Sequence, residues 1–281
     1  MDEQNLTWQV GDVTITRVEE ALTWLDGTAL MPDFTPEALA PHRSWLSPNY
    51  FSDHNDKMAL SIHAFVVQSG DTTIVVDTCV GEGEQSLPSD PEFPSRLGAA
   101  IEGGLDAVDI VLCTHLHFDH VGWNLHTVDG KRVPVFPNAR YLFSATEVAH
   151  TREHDEHAVI EPSVQPLIDL GLADLVEPHH ALTNDVSLIP TPGHTPGHVS
   201  VVIESAGQSA VITGDMTHTP LQFAEPDLSS ANFDWDSPQA CATRHHWLAQ
   251  WTDQPVLVLG THFAPPTGGH ITTVDGSVRF S

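Results

Sequence analysis

The sequence predicts an α/β fold in which two sheets lie between helical layers. Three observations lead there. Short buried apolar strands alternate with segments of helical character along the chain. The grammar of the first half returns in the second: Ile74-Val75-Val76-Asp77 with the later Val111-Leu112-Cys113-Thr114-His115 resembles Val211-Ile212-Thr213-Gly214-Asp215 with the later Val258-Leu259-Gly260-Thr261-His262. No linker divides the 281 residues, so residues 1–281 read as a single domain. The repeat predicts two similar halves facing each other, with both active edges meeting at one site.

Val13-Thr14-Ile15-Thr16-Arg17-Val18 alternates with period two and predicts an outer strand. Residues 26–58, rich in Pro, Asp, Asn and aromatics, predict a long loop or short helices over one face. Ala64-Phe65-Val66-Val67-Gln68 and Thr72-Thr73-Ile74-Val75-Val76-Asp77, joined through Ser69-Gly70-Asp71, predict a hairpin. A short helix is expected over residues 95–103, stopping at Gly103-Gly104. Residues 109–114 predict a buried strand and residues 140–143 another, with Ser144 capping a helix that runs to about residue 154. In the second half, residues 186–189 predict a strand, and residues 198–203 and 210–213 a hairpin around Ala206-Gly207. A helix over about residues 238–251, with Ser237 as cap and a proline first, precedes the strand Val256-Leu257-Val258-Leu259.

Hydrophobic residues make up 40 % of the chain, enough for a sizeable core. Met1 to Gln4 are acidic and polar, and no basic segment leads an apolar one, so no secretory leader is expected. No apolar run approaches the roughly 20 residues that span a bilayer. A cytoplasmic protein is the simplest expectation. The three cysteines, Cys79, Cys113 and Cys241, are odd in number and form no C-x-x-C pair, which argues against disulfides. Ten basic residues against 38 acidic ones give a formal charge of −28, and Lys57 and Lys131 are the only lysines. Such a field repels nucleic acid and anionic membrane surfaces. The expected partner is a small molecule, and homo-oligomerisation is left open. An acidic, lysine-poor composition also fits a salt-adapted protein.

The strongest chemical signal is His115-x-His117-x-Asp119-His120, four ligand-type side chains in six residues directly after a buried strand. His115 and His117 can face one metal, and Asp119 and His120, further round the turn, a second. Zinc takes about four ligands, so distant residues must converge. His194, Asp215 and His262 are the candidates, each where a strand gives way to a loop. Two divalent metals are therefore expected, zinc first, with Mn, Fe or Co compatible with the same donors. Asp77, at a strand end, is placed to accept from a ligand imidazole and set its tautomer. Trp123 and Asn124 follow the metal loop and are expected to line the pocket. Phe51, Phe223, Phe233 and Trp235 are expected to form its apolar wall. His198 reads as structural, His63, His218 and His270 as candidate neighbours of the ligands, and the pairs His179-His180 and His245-His246 as solvent-facing.

The six-residue motif, Asp77, Gly193-His194-Thr195-Pro196-Gly197-His198, Gly214-Asp215 and Thr261-His262 resemble the metallo-β-lactamase superfamily in order and spacing, over about residues 60–270. The resemblance implies an αβ/βα four-layer sandwich with metals at one edge of the two sheets. It implies that His115, His117 and His194 bind the first metal, that Asp119, His120 and His262 bind the second, and that Asp215 bridges them. An Asp at the bridging position resembles glyoxalase II, acyl-homoserine lactonases and methyl parathion hydrolase rather than the main zinc β-lactamases. The stretch from Gly214-Asp215-Met216-Thr217-His218 through Phe223, then Phe233-Asp234, Arg244 and His262-Phe263-Ala264-Pro265-Pro266, looks most like the methyl parathion hydrolase branch. Acyl-homoserine lactonases have a tyrosine where this chain has His218. The implied activity is hydrolysis of a small ester, lactone or phosphotriester by a hydroxide bridging two metals, with Asp119 handling a proton and His218 facing the substrate. The alternatives are a glyoxalase II-like thioesterase, disfavoured by the scarcity of basic residues, and a metal-binding scaffold without catalysis, disfavoured by the complete ligand set.

Overall fold

A computed structural model describes residues 5–82, 87–154 and 158–281. The segment Met1 to Gln4, read above for a leader, lies outside them. The first sheet has eight strands, numbered in chain order: β1 Thr7–Val10, β2 Val13–Asp26, β3 Phe51–Ser52, β4 Lys57–Ser69, β5 Thr72–Val76, β6 Ile110–Leu112, β7 Arg140–Ser144 and β8 Ala173–Val176. Their order is β1-β2-β4-β5-β6-β7-β8, with β3 paired to β4. The second sheet runs β9 Val186–Pro190, β10 Val199–Ser205, β11 Gln208–Ile212, β12 Val256–Leu259 and β13 Gly268–Gly269.

The inner faces of the sheets meet. Val13, Ile15, Phe65, Val67, Ile74 and Val76 from the first pack with Val201, Ile203, Ala210 and Ile212 from the second in one buried cluster. The residues between them along each strand face outward. Val66, Val75 and Val111 lie under Phe93 and Leu97 of the helix Phe93–Ala99 and under Val148 of the helix Ala145–Glu153. Val211 and Val258 lie under Leu248 and Trp251 of the helix Ser237–Trp251 and under the short helices of residues 27–46. Alternating patterning with both faces covered produces four layers, helix, sheet, sheet, helix.

The internal repeat is visible in the pairing. In each half an antiparallel hairpin leads into a parallel pair: β4-β5 then β5-β6, and β10-β11 then β11-β12. Asp77 N donates to Leu112 O, as Thr213 N does to Leu259 O. Parallel pairing brings the carboxyl ends of β5, β6, β11 and β12 to one edge of the sandwich, where loops are free to hold functional groups.

Several boundaries differ from the sequence reading. β2 runs on to Asp26, beyond the six residues of clean alternation, because a register shift between Glu19 and Ala21 carries the pattern to the other face. Ser144 precedes the helix Ala145–Glu153 but makes no capping bond. Asp236, not Ser237, caps the last long helix, its carboxylate accepting from Gln239 N. The helix expected over residues 95–103 is Phe93–Ala99.

Candidate metal centre

β6 hands the chain to the metal-loop residues through Thr114. Asp77, at the end of β5, receives Thr114 N at 2.8 Å, Thr114 Oγ1 at 3.0 Å and His120 Nδ1 at 2.9 Å. Its backbone sits at φ 59°, a left-handed conformation that Asp tolerates better than most residues. Behind the loop there is no room for a side chain: a Cβ on Gly122 would fall 1.9 Å from Val80 O. The other half supplies the remaining groups. Gly214, at φ +55° with its Cβ position 2.5 Å from the His198 ring, turns the chain so that Asp215 faces inward. Asp215 N then donates to His198 Nε2 at 2.8 Å. Burial lowers the His198 pKa to about 3, and the neutral ring accepts that bond. Glu147 joins the halves, accepting from Leu116 N at 3.1 Å and Gly197 N at 2.9 Å.

The functional side chains meet at Asp215 Oδ2. The Nε2 atoms of His218 and His262 lie 3.2 Å away, those of His120 and His194 3.4 Å, and that of His115 3.8 Å. His262 Nε2 is 3.7 Å from Asp119 Oδ2, and His194 Nε2 is 3.0 Å from His117 Nδ1. Three sets have donor atoms mutually within 4.8 Å: His115, His117, His194 and Asp215; Asp119, His120 and His262; Asp215, His218 and His262.

The ring wiring fits a metal. His120 Nδ1 donates to Asp77, His194 Nδ1 to Asp234 Oδ1 at 3.0 Å, and His262 Nδ1 to Ser61 O at 2.8 Å. Thr114 already donates to Asp77, so His115 Nδ1 donates to Thr114 Oγ1 at 3.1 Å. Each bond puts the proton on Nδ1 and leaves a bare Nε2 lone pair facing the centre. The atoms left without hydrogen-bond partners include His115 Nε2, His120 Nε2 and Asp215 Oδ1, all buried. Buried polar atoms are rarely orphaned, and here a cation would satisfy them together. The electrostatics agree. Burial opposes charge on Asp215, yet His120, His262, His218 and His115 hold its pKa well below the usual range. Burial lowers His115, whereas Asp215, Asp77 and Asp119 overcome burial and raise His120, so that with no cation present the carboxylates favour a second proton on that ring, at the atom a metal would otherwise take.

A cavity of about 380 Å³ opens onto this cluster, walled by Leu25, Leu30, Leu60, Leu87, Phe118 and Phe233. A second, of about 330 Å³, shares His117, His194 and Phe233 with the first and includes Glu147, His150, His154, Asn232 and Trp235. Phe233 lines both cavities and Trp235 the second. The other expected contacts need correction. Trp123 is buried, its Nε1 donating to Glu20 Oε1 at 2.7 Å, and Asn124 binds Thr78, Cys113 and the carbonyl of Ser163. They follow the metal loop in sequence but brace it from behind. Phe51 and Phe223 are 1 % exposed and belong to the core, Phe223 against Phe263 and Phe280. His270 bonds Val256 O away from the site, while His63 lies behind His262 through Ser61. His179, His180, His245 and His246 are exposed. Sequence reasoning missed Ser61, Glu147 and the leucine wall, and met Asp234 only inside a motif.

The comparisons agree with this geometry. The family model described as Metallo-beta-lactamase superfamily matches residues 58–270. An N-acyl homoserine lactonase of Bacillus sp is 25 % identical over 192 residues, covering 62 % of this chain and 71 % of that protein. The Probable metallo-hydrolase YybB of Bacillus subtilis (strain 168) is 24 % identical over 179 residues, covering 63 % and 71 %. Among solved structures, the hydrolase AbOPH superposes with a TM-score of 0.80 at 25 % identity, covering 98 % of this chain and 96 % of that one. AidC, a dizinc quorum-quenching lactonase, superposes with a TM-score of 0.78 at 19 % identity, covering 99 % and 96 %, a likeness of fold. With its motif set gathered at one edge of a two-sheet sandwich, the chain belongs to the metallo-beta-lactamase superfamily.

Proposed function

We propose that this metal-dependent hydrolase holds two divalent ions and cleaves a compact, uncharged ester or lactone, with phosphotriesters as a second class of the same shape. His115, His117 and His194 would hold one ion, Asp119, His120 and His262 the other, and Asp215 would lie between them. The single observation behind the reading is the convergence of five imidazole nitrogens and the bare oxygen of Asp215 beside a leucine-walled cavity. When bound, two divalent ions would make a water nucleophilic near neutral pH and polarise the oxygen that gains charge.

The chain's own residues do the rest. Leu25, Leu30, Leu60 and Phe233 exclude water and orient an apolar group against the reacting carbonyl. Asp119 and Asp215 both line the cavity, and Asp119, 11 % exposed at its side chain against 4 % for Asp215, is the more open of the two carboxylates. It accepts the attacking water's proton and returns it to the leaving alkoxide oxygen, which balances the step. His218 Nε2 faces the same centre and donates to the carbonyl oxygen as charge develops there. Among the described residues no Lys or Arg lines the cavity, which weighs against a thioesterase that must hold the carboxylates of glutathione.

The test is a panel of lactones, phosphotriesters, thioesters and β-lactams on one zinc-loaded sample. The expected result is turnover of lactones and phosphotriesters that a chelator abolishes. Preference for an anionic thioester, or indifference to the chelator, would contradict the proposal.

A further inference from the structure

His218 and His262 form a matched pair with opposite wiring. Their rings are parallel, 7° apart in plane and 5.5 Å between centres. Each places Nε2 at 3.2 Å from Asp215 Oδ2. By distance alone either is a metal ligand, and Asp215, His218 and His262 form one of the candidate sets. Their Nδ1 partners differ in kind. His262 Nδ1 faces a backbone carbonyl, which only accepts. His218 Nδ1 faces the hydroxyl of Ser230 at 2.9 Å, which can accept or donate.

The network around Ser230 decides between these. Gln222 Oε1 accepts from His218 N at 2.7 Å, and Gln222 Nε2 donates to Leu228 O at 2.9 Å, so the amide can point only one way. Its Nε2 also donates to Ser230 Oγ at 3.2 Å. Ser230 is fully buried, and among the described residues the remaining acceptor for its hydroxyl hydrogen is His218 Nδ1. An unspent buried hydroxyl donor is disfavoured, so Ser230 donates and His218 Nδ1 accepts. The ring proton then resides on Nε2. One short turn makes both assignments: Asp234 receives His194 Nδ1 on Oδ1 and Ser230 N on Oδ2, while Ser230 feeds His218.

We infer that Ser230, oriented by Gln222, fixes His218 in the Nε2-protonated tautomer and so makes it a hydrogen-bond donor to substrate instead of an eighth metal ligand. Ser230 and Gln222 are positioning residues. The inference deepens the hydrolytic reading above and rests on it for the identity of the acceptor, a carbonyl or phosphoryl oxygen. It also gives the serine a specificity role: a carboxylate at the same place would turn the imidazole over and present a lone pair to the metals, as Asp234 does for His194.

The experiment records ¹⁵N spectra of the zinc-loaded full chain with labelled histidine. The His218 signals are assigned by their loss in His218→Gln. The inference expects a protonated Nε2 and a bare Nδ1 at His218, the reverse of His262. Ser230→Asp should exchange the two nitrogens and tighten the weaker zinc by roughly tenfold or more, the scale on which partners of ligating histidines act. Ser230→Ala should leave zinc affinity within about threefold yet lower kcat, with KM little changed, and Ser230→Thr should restore it. If Ser230→Asp does not fold, the wild-type spectrum and the Ala and Thr variants decide alone. A zinc-bound or bare Nε2 at His218 in the wild type overturns the inference, as does Ser230→Ala that weakens zinc as much as it slows turnover. The spectra read the wiring without any substrate. A protonated Nε2 with no hydrolysis of the panel would therefore remove the functional reading and leave the wiring standing.

Discussion

At Oδ2 of Asp215 five imidazole nitrogens converge between 3.2 and 3.8 Å, and its other oxygen is buried without a hydrogen bond. Removing this carboxylate leaves the ring nitrogens facing one another with nothing negative between them. Asp215→Ala is therefore expected to retain at most one tightly held metal per chain and to lose kcat by at least about 10²-fold, read by elemental analysis and steady-state kinetics. His218→Ala is expected to lower lactone kcat/KM by roughly 10²-fold, the usual effect of deleting one charge-stabilising donor, and to lower phosphotriester kcat/KM less. Equal losses on both substrates would show that His218 only packs against His262. The ligand-type residues were legible in the sequence because each follows a short apolar strand, and a His or Asp there has few structural reasons to exist. Their supports were not. Asp234 reaches His194 across 40 positions and Ser61 reaches His262 across 201, contacts that only folding creates. Composition likewise does not tell a cavity wall from a core, so Phe51 and Phe223 read like Phe233 until burial separates them.

Between the first sheet and the metal loop, one element is held by one buried acid. Glu20, beside the register shift of β2, accepts from Val80 N at 2.7 Å, Trp123 Nε1 at 2.7 Å and Asp90 N at 3.2 Å. Burial raises its pKa above the ordinary 4.5, more than these donors lower it. The folded state thus holds the proton more tightly than the unfolded chain does. The contribution is fully present below pH 4.5 and is lost as pH rises through the elevated folded value. Glu20→Gln cannot titrate, so the stability of the wild type relative to this variant should fall as pH rises from about 4 to 7. Denaturant melts of both proteins across that range test it, and a gap that widens with pH would reverse the assignment. At this scale the strands with clean alternation or unbroken apolar runs were readable, and the weakly patterned ones were not. The hairpins Leu125–Val128 with Lys131–Pro134 and Ile271–Val274 with Ser277–Phe280 each turn on an Asp-Gly pair in left-handed conformation, Asp129-Gly130 and Asp275-Gly276. That signal was present, but their flanks mix half-buried and exposed positions and carry little hydrophobic period.

The whole molecule bears a formal charge of −28 with two lysines. Among the described residues no helix is long and apolar enough to cross a membrane. Surface ion pairs such as Arg43 with Asp53 and Arg140 with Asp174 offset little of this charge, being exposed. Self-repulsion should then be relieved by salt. The melting temperature is expected to rise between about 0.01 M and 1 M, as the screening length falls from roughly 30 to 3 Å. A flat curve from scanning calorimetry would mean that the acidic surface is tolerated unscreened. The same charge would favour divalent cations, and among the described residues the groups of His and Asp that could hold one lie at the common edge of the two sheets. The architecture was legible because the repeat of β5 and β6 in β11 and β12 places that edge, whereas sheet size and the outer hairpins depend on contacts the repeat does not encode. The most direct measurement is a titration of metal-free protein with zinc while lactone hydrolysis is followed. Activity should rise to a plateau at two equivalents per chain, and Asp215→Ala should show no such plateau. Full activity at one equivalent, or activity that persists in the metal-free protein, would contradict a dinuclear centre.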